Sequence, residues 1–588
     1  MWFVLWPLMV LRAEGPSLPA NGDFDDGLAG WRGSATNVMT EAAAYGDRSV
    51  AHMTVPNDVP VGWPSLYQDV KAVAGDLFEA HVDASGRNVC DGYGVYMAME
   101  FHDAAGKRLS FSQSPAVGKD GEWRTFQVRS VVPPGGVTVR LCLILNGHGE
   151  AFFDHARLVR LGNVAAGALD GPVTLTVTEE VACPSLIGFG AEDDGWFYNP
   201  ENAKHGVTEE DTEIREGRIE WMDPDWVRMF FWYKDWNPSE DWETFTFDTP
   251  NMESHYRTLE VYQRIGAIVN VTGVEWGMAD PYGQPEKVAK AVGALFEHLI
   301  RAKGYTCVQQ WTLTNEPNGA FAAQMGYTFD RYVALHVLIK QEFARRNLAV
   351  QSVGSDDTGG LPWFTDCVRN PTYFDSTDLF VSHNYMPYAD RLLAPLFFED
   401  RLKLLAEKTP RKPFAVAEFG FQDSRSGTLE NPIMETYPYA VWTAAFVIEG
   451  LNHGVAGFSI WCLSEVFYPG NGFMNYGLWD YKDNGWKLRP VYHAMANFTR
   501  LTERGNVVRR CDSTHPYHVL GTMVGKTLFW VNRCDDPAEV RVTGFEVREV
   551  RIMTEFTLEG DRICGVLVNP SGNRFTAPPQ SFGYATRK

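Results

Sequence analysis

The stretch Val308-Gln-Gln-Trp-Thr-Leu-Thr-Asn-Glu-Pro-Asn318 joins an apolar, strand-like run to a polar loop. Its first half has the composition of a β-strand that is covered on both faces, and Glu316 follows shortly after it. A second run, Pro413-Phe-Ala-Val-Ala-Glu-Phe-Gly420, carries Glu418 at the corresponding place. The two runs predict two buried strands, each of which ends in a glutamate.

Six more strand-like runs lie between residues 185 and 502, and helical patterns separate several of them. In chain order the eight predicted strands are 186–190, 226–232, 267–272, 308–313, 349–354, 379–383, 414–418 and 457–461. Residues 286–302 and 327–346 show the apolar spacing of amphipathic helices. Eight strands that alternate with helices predict a central (β/α)8 TIM barrel, in which functional residues lie at the C-terminal ends of the strands.

The spacing of the two glutamates fits such a barrel. Glu316 ends the fourth predicted strand, and Glu418 ends the seventh, 102 residues later. A typical barrel uses about 31 residues for each strand–helix unit, so three units take roughly 94. Strands four and seven lie across the ring from each other, and we expect the carboxylates to face each other over its mouth. Facing carboxylates can cleave a glycosidic bond, because one protonates the leaving oxygen while the other attacks the anomeric carbon or activates water.

These runs resemble clan A of the retaining glycoside hydrolases, over roughly 185–500. In that clan an Asn-Glu pair ends the fourth strand and a glutamate ends the seventh. The resemblance implies that Glu316 is the acid/base, that Glu418 is the nucleophile and that Asn315 binds the sugar 2-hydroxyl. The implied reaction is a double displacement on a β-linked glycan, with retained configuration and without a cofactor.

Four further residues match clan positions that bind the substrate or the nucleophile. Arg228, on the second strand, corresponds to an arginine beside the nucleophile. His383 and Tyr385 match a His-x-Tyr sequence that ends the sixth strand, and Trp461 matches a tryptophan on the eighth strand beneath the sugar. A guanidinium and a phenol that donate to Glu418 would hold it ionised, and an indole offers a stacking surface.

The chain also departs from the most familiar pattern of the clan. The form Asn-Glu-Pro-Asn and the flanking β-domains favour family 39 or a relative of family 5. The third strand is followed by Glu275 and Trp276 without the histidines of familiar cellulases, which argues against a plain cellulase. Glu275 and Trp276 are further candidates for substrate binding. Comparable loop positions are held by Asp193, Trp232, Glu465 and Tyr468.

Short alternating runs separated by Gly, Asp, Asn and Pro predict an N-terminal β-sandwich or jelly roll over 21–162. Its two ends resemble those of jelly-roll carbohydrate-binding modules, which often carry a structural calcium. Asn21, Asp23 and Asp154 are the candidate calcium ligands, and turn residues that satisfy backbone groups are the competing interpretation. Four aromatic residues are candidates either for sugar stacking or for the core, namely Trp63, Tyr67, Tyr93 and Tyr96.

The remaining boundaries follow from changes in the same patterns. Residues 1–20 hold a short apolar run that predicts a signal peptide, without the usual basic start, and hence a secreted or periplasmic protein. Residues 163–184 predict a linker and then a strand that joins a small C-terminal β-sandwich, itself predicted for 503–588. The barrel takes residues 185–502 between them.

The composition narrows the class of partner. The net charge is −22 and no basic run occurs, which argues against nucleic acid and an anionic membrane surface. The 19 tryptophans favour an oligo- or polysaccharide partner, since indole rings stack on sugars, although tryptophans also fill cores. Nine cysteines without a CxxC pattern predict mainly free, buried thiols, and the barrel sequence has no metal-binding motif.

The sequence as a whole predicts a retaining glycoside hydrolase. A transglycosylase on the same site and a non-catalytic carbohydrate-binding protein are the alternatives, and the presence of both Glu316 and Glu418 argues against the second. The sugar, its linkage, endo or exo action and the oligomeric state are left open at this point.

Overall fold

The computed structural model of the 588-residue chain describes residues 19–35, 38–46, 48–114, 116, 123–163, 169, 171–275, 278, 281–319, 328–468, 472–562 and 564–587. The chain divides into two compact units, Met1–Gly167 and Ala168–Lys588. This division agrees with the multidomain organisation that the sequence predicts. Residues 1–18 of the predicted signal peptide lie outside the described residues.

The first unit is a sheet structure whose strands pair in antiparallel fashion around one apolar core. Two long strands, Asp76–His102 and Thr138–Asn163, pair along most of their length, and four register shifts interrupt the pairing. Such bulges bend a strand, so that one pair can wrap around the core residues Phe78, Met97 and Leu141. The other strands are Arg32–Gly33, Met39–Tyr45, Arg48–Val55, Ser65–Lys71, Arg108–Gln113 and Arg124–Val131.

The second unit contains eight parallel strands, here numbered one to eight in chain order. They are Gly188–Ala191, Trp226–Trp232, Ile268–Val274, Val308–Thr312, Gln351–Asp357, Leu379–Pro387, Phe414–Gln422 and Gly457–Ile460. Neighbours pair in sequence order from strand two to strand eight, and strand one pairs with strand eight. A parallel bridge between Glu192 and Arg228 links strand one to strand two and closes the ring. Each of the eight predicted strands overlaps one of these.

Helices follow most of the strands and cover the ring. They are Pro200–Lys204, Glu209–Met222, Tyr233–Trp236, Pro250–Ile265, Pro285–Glu297, Phe329–Arg345, Leu361–Arg369, Pro371–Ser376, Ala394–Ala406, Tyr437–His453 and Pro490–Leu501. One π-helical turn, His298–Ala302, extends the fifth of these, and five 3-10 turns occupy Pro281–Gly283, Tyr388–Leu393, Pro432–Glu435, Lys482–Asn484 and Glu555–Thr557. Local sequence fixes their ends: the Thr249 hydroxyl accepts the Met252 N–H at one N-terminus, and Gly266, at φ 75°, ends the same helix.

A nine-stranded sheet completes the second unit. The strand Val173–Cys183, which precedes the ring, pairs with Val508–Ser513 in antiparallel fashion and with Ala538–Thr543 in parallel. The remaining strands are Val519–Val524, Thr527–Asn532, Val547–Met553, Val566–Val568, Arg574–Ala577 and Ser581–Arg587. A separate two-stranded ribbon, Phe467–Tyr468 with Gly472–Phe473, extends from the loop after strand eight.

All nine cysteines are free thiols, and seven of them are buried, as the sequence predicts. Over the described ranges, no helix combines the length and the apolar character that crossing a bilayer requires.

Candidate active site

The residues that the sequence singles out converge at the C-terminal ends of the parallel strands. Arg228 belongs to strand two, His383 and Tyr385 to strand six, and Glu418 to strand seven. Glu316 lies in the loop that follows strand four. All strands of the ring run in the same direction, so these side chains meet at one end of it.

Glu418 is almost fully buried and is held by two donors. Arg228 donates from Nη1 to Oε1 over 2.6 Å, and the Tyr385 hydroxyl donates to Oε2 over 2.9 Å. Charge-assisted hydrogen bonds of this kind favour the ionised carboxylate. The neighbouring ring of His383 places Nδ1 3.6 Å from Oε2.

Glu316 is the more accessible of the two glutamates, since 28% of its side chain is exposed against 6% for Glu418. Its backbone has the left-handed φ of 50°, and its N–H donates to the Asp356 carbonyl over 3.1 Å. His383 Nδ1 lies 3.0 Å from Glu316 Oε1. One carboxylate oxygen of Glu316 and one of Glu418 lie within 4.8 Å of each other.

Asp356 completes this cluster, although the sequence analysis did not single it out. It is fully buried, accepts from Arg228 Nη2 over 2.7 Å and lies 3.1 Å from His383 Nε2. The sequence feature that could have identified Asp356 is the pair of acids, Asp356 and Asp357, that follows the fifth apolar run. The predicted strand stopped at residue 354, whereas the observed one continues through both acids to 357.

Electrostatic coupling fixes the protonation of the cluster. Burial lowers the pKa of His383, but the charges of Glu418 and Asp356 outweigh it and raise that pKa to about 10. Burial works against the ionised form of Asp356, yet Arg228 and His383 bring its pKa below the usual range. Burial raises the pKa of Glu418, and the charges of His383 and Arg228 oppose that effect. When Glu418 and Asp356 are ionised, the positive charges of Arg228 and His383 balance their two negative charges.

Comparisons with known proteins bear on the fold. No family model matches the sequence, and no curated protein matches it. Among solved structures, a GH39 beta-xylosidase from Caulobacter crescentus is similar at a TM-score of 0.51 and 14% identity, covering 71% of this chain and 99% of that one. The chain has the fold of the clan A glycoside hydrolases.

Two more solved structures have a similar fold. An endo-beta1,6-glucanase has a TM-score of 0.52 at 12% identity and covers 71% of this chain and 94% of its own. SrfJ from Salmonella typhimurium has a TM-score of 0.52 at 14% identity and covers 74% of this chain and 96% of its own. The resemblance that the sequence motifs suggest is confirmed for the fold.

Two other predicted site residues border the same cluster. The Asn315 amide oxygen accepts from Arg228 Nη2 over 2.7 Å, so that its carbonyl end is fixed. Trp461 directly follows strand eight, is 8% exposed and lies against Phe230 at 5.3 Å between ring centroids. The peptide bond between Trp461 and Cys462 is cis.

Glu275 is buried directly after strand three, and Trp276 lies outside the described residues. Burial raises the pKa of Glu275 to about 8, against hydrogen bonds from Thr314 and Tyr282 that lower it. Thr314 and Tyr282 are not members of the Arg228–Glu418 cluster.

The four loop candidates have separate surroundings. Asp193 accepts from Arg215 and, over 2.6 Å, from the Tyr262 hydroxyl, so that it forms a buried structural ion pair. The Trp232 ring lies against Trp196, with 5.0 Å between the ring centroids. Glu465 forms an ion pair with Arg489 at 2.6 Å, and the Tyr468 hydroxyl donates to Asp194.

In the described part of the chain, three groups of side chains have donor sets that a metal ion could use, namely Cys90 with Asp91 and His148, Asp23 with Asp154 and His155, and Glu316 with His383 and Glu418. Ligand atoms of Glu316, His383 and Glu418 lie within 4.8 Å of one another. There the His383 ring nitrogens already face carboxylates, with Nδ1 3.0 Å from Glu316 Oε1 and Nε2 3.1 Å from Asp356 Oδ1.

The predicted calcium ligands in the first unit already have protein partners. Asp23 accepts from Arg157 over 2.6 Å, and Asp154 pairs with Arg48 at 3.4 Å. The Asn21 side chain bridges turn backbone groups, donating to the Gly27 carbonyl and accepting from the Asp26 N–H. These contacts match the turn interpretation of Asn21, and calcium binding stays a prediction.

Proposed function

We propose that this protein is a retaining O-glycoside hydrolase that acts on a β-linked glycan, with Glu316 as acid/base and Glu418 as nucleophile. The observation that carries the proposal is the pair of carboxylates from the loop after strand four and from strand seven, with oxygens within 4.8 Å. Retaining enzymes place the two carboxyl groups about 5–5.5 Å apart, whereas inverting enzymes need about 6.5–9.5 Å to admit water. The short approach favours retention.

The first step uses the two glutamates in opposite protonation states. Glu418, held as a carboxylate by Arg228 and Tyr385, attacks the anomeric carbon and forms a glycosyl ester. Glu316 gives its proton to the glycosidic oxygen, the bond to that oxygen breaks, and an alcohol leaves. Glu316 ends this step as a carboxylate.

The second step reverses these roles. Glu316 removes a proton from water, whose oxygen attacks the anomeric carbon and displaces Glu418. The enzyme regains a protonated Glu316 and an ionised Glu418, and the sugar keeps its configuration. The exposures support this assignment, because the acid/base has to reach both the leaving group and water, while a nucleophile lies beneath the ring.

An alcohol in place of water in the second step would give a transglycosylase, which product analysis distinguishes. A purely binding protein has no use for the buried charge network around Glu418.

For the first unit we propose glycan binding, since Trp63 and Tyr93 are 71% and 53% exposed. Tyr96 is buried and Tyr67 lies under Arg140 at 4.0 Å, which places these two in a packed layer. Export from the cell stays a proposal that rests on the apolar run near Met1.

The test is a screen of aryl β-glycosides and polysaccharides with the wild type and the variants Glu316→Gln and Glu418→Gln. Both variants should fold and lose hydrolysis of unactivated substrates. Azide added to Glu418→Ala should give a glycosyl azide of inverted configuration. Full activity in either Gln variant, or azide rescue from the Glu316 side alone, would refute the assigned roles.

A further inference from the structure

Three consecutive acids, Glu192, Asp193 and Asp194, directly follow strand one, and the reaction above does not use them. All three are buried, and Asp193 forms an ion pair with Arg215. Each of the three has a carboxyl oxygen that accepts no hydrogen bond from any described residue, and in Glu192 this holds for both oxygens. A buried polar group without a partner is costly, so these oxygens call for a ligand or for a proton.

The backbone of Glu192 directs its side chain towards the proposed active site. Its N–H donates to the Ile460 carbonyl over 2.8 Å, and its carbonyl accepts from Leu463 N over 2.8 Å. It also forms the parallel bridge to Arg228 that closes the ring. Side chains alternate along strands, and bridged neighbours point to the same face, so Glu192 shares the interior side from which Arg228 reaches Glu418.

Glu192 is fully buried there, and neither of its carboxyl oxygens has a partner within the described ranges. Burial and the nearby charge of Asp194 raise the pKa of Glu192 well above its usual range, although Arg228 acts in the opposite direction. The Arg228 terminal nitrogens are already used by Glu418, Asn315 and Asp356. This shift favours the protonated form of Glu192, which can donate one hydrogen bond and accept others.

Asp194 adds a second group of the same kind. One of its oxygens accepts from the Tyr468 hydroxyl, and the other is without a partner in the described chain. Burial raises the pKa of Asp194 to about 7, against the Tyr468 hydrogen bond. Trp196 lies against Tyr468 and Trp232, at 5.9 and 5.0 Å between ring centroids. Polar groups thus stand among aromatic faces, the combination that suits a sugar ring.

Several cations near this end of the ring are already held by carboxylates. Those in the described residues include Arg215 with Asp193, Arg228 with Glu418 and Asp356, His383 with Asp356, and Arg489 with Glu465 and Asp480. A sugar carboxylate bound beside Glu192 would lie next to the acids Asp193 and Asp194, while the nearby guanidinium of Arg228 is already shared by Glu418 and Asp356. A neutral sugar hydroxyl meets groups that match its ability both to donate and to accept.

We propose that Glu192 and Asp194 bind hydroxyl groups of an uncharged sugar in the subsite beside Glu418, and that they exclude uronic acids from this subsite. The inference rests on the proposed function for the position of the subsite. Glu192 is then a specificity residue: it touches the substrate and takes no part in the bond that breaks.

The kinetic test uses Glu192→Gln, Glu192→Leu and the exposed control Glu213→Gln. Glutamine keeps a neutral group that donates and accepts, so kcat/KM on the substrate found by the screen should stay within about tenfold. Leucine should lose about 100-fold, because the substrate hydroxyl loses its partner. Monodeoxy analogues of the same glycoside should single out one hydroxyl, whose removal costs the wild type about 30-fold and Glu192→Leu less than threefold. Equal losses for every deoxy analogue in both enzymes, or a Gln variant as poor as Leu, would overturn the proposal.

A binding test separates this inference from the proposed reaction. Saturation-transfer NMR on Glu316→Gln compares the 4-nitrophenyl β-D-glucoside, β-D-xyloside, β-D-glucuronide and 2-amino-2-deoxy-β-D-glucoside. We expect a neutral glycoside to bind to Glu316→Gln and the glucuronide not to bind. The binding of the neutral glycoside should be lost in the Glu192→Leu, Glu316→Gln double variant. Binding of the glucuronide, or strongest binding of the cationic amino sugar, would overturn the inference. If the wild type hydrolyses no glycoside but binding depends on Glu192, the proposed reaction is refuted and the inference stands. If the wild type hydrolyses a glycoside and its kcat/KM is the same in Glu192→Leu, the inference is refuted and the proposed reaction stands.

Discussion

Replacing Tyr385 by phenylalanine removes one of the two hydrogen bonds to the proposed nucleophile. The phenol donates to Glu418 Oε2 over 2.9 Å, and Arg228 holds the other oxygen. This donation favours the ionised carboxylate, so its loss shifts Glu418 towards the protonated form that cannot attack. Burial already raises the pKa of Glu418, and the variant pushes it further in the same direction.

The size of the effect follows from the hydrogen bond. A hydrogen bond to a charged group contributes about 1.5–3 kcal/mol, and 1.36 kcal/mol corresponds to one pH unit of a titration. The acid limb of kcat/KM, which reports the free enzyme, should therefore move upward by about one to two pH units in Tyr385→Phe. Activity is lost as the pH falls through this limb, so the variant should be most impaired in mild acid.

The assay is a pH profile of kcat/KM on an aryl glycoside, with Tyr437→Phe as the matched control. Tyr437 is also buried and donates over 3.0 Å, but to the Met553 carbonyl, away from the carboxylate cluster. The control should keep the wild-type profile. A Tyr385→Phe enzyme that is slower at every pH, with an acid limb that has not moved, would refute the idea that this phenol controls the ionisation of Glu418.

Three further outcomes follow from the structure. Asp356→Asn leaves Arg228 and His383 without their shared buried anion, so thermal or denaturant unfolding should show a loss of about 3–5 kcal/mol. Because the folded pKa of Asp356 is lowered, this loss should be fully present at neutral pH and shrink as the pH falls through that pKa; a constant difference in acid would contradict it. Glu316→Gln should lose about 10²–10⁴-fold on poor leaving groups and far less on dinitrophenyl glycosides, which need no proton; equal losses on both would contradict the acid role. Trp63→Ala should weaken retention on an insoluble glycan about tenfold while aryl glycoside hydrolysis is unchanged; unaltered retention would remove Trp63 from the binding surface.

The strands of the ring were predictable because they are buried on both faces. Parallel strands under helices read as continuous apolar runs, and each of the eight runs became a strand. The same logic singled out Glu316 and Glu418, since each ionisable residue closes such a run; Glu316 lies in the loop after strand four, whereas strand seven continues past Glu418 to Gln422. His383 and Tyr385 were accessible through the motif that they share with clan A.

Asp356 and Glu192 were beyond this reasoning for a physical reason. Each belongs to a short acidic pair or triplet that follows an apolar run in the sequence, a pattern that a solvated loop shares. What distinguishes them is burial and the choice of partner: Asp356 meets Arg228 and His383 across the ring, while Glu192 meets no partner in the described chain. Such contacts join residues of strands one, two, five and six, and no local pattern encodes them.

Arg228 links the nucleophile to substrate recognition in the proposed reaction. Its Nη1 holds Glu418, and its Nη2 reaches both Asp356 and the Asn315 amide oxygen. An amide whose oxygen is fixed in this way can offer only its NH2 group to a ligand. If Asn315 donates to the 2-hydroxyl, that hydrogen bond strengthens as charge develops at the neighbouring carbon. A shift of Arg228 would therefore misplace the nucleophile and this donor together, and Arg228→Lys should lose far more activity than a change at Glu418's second donor, Tyr385.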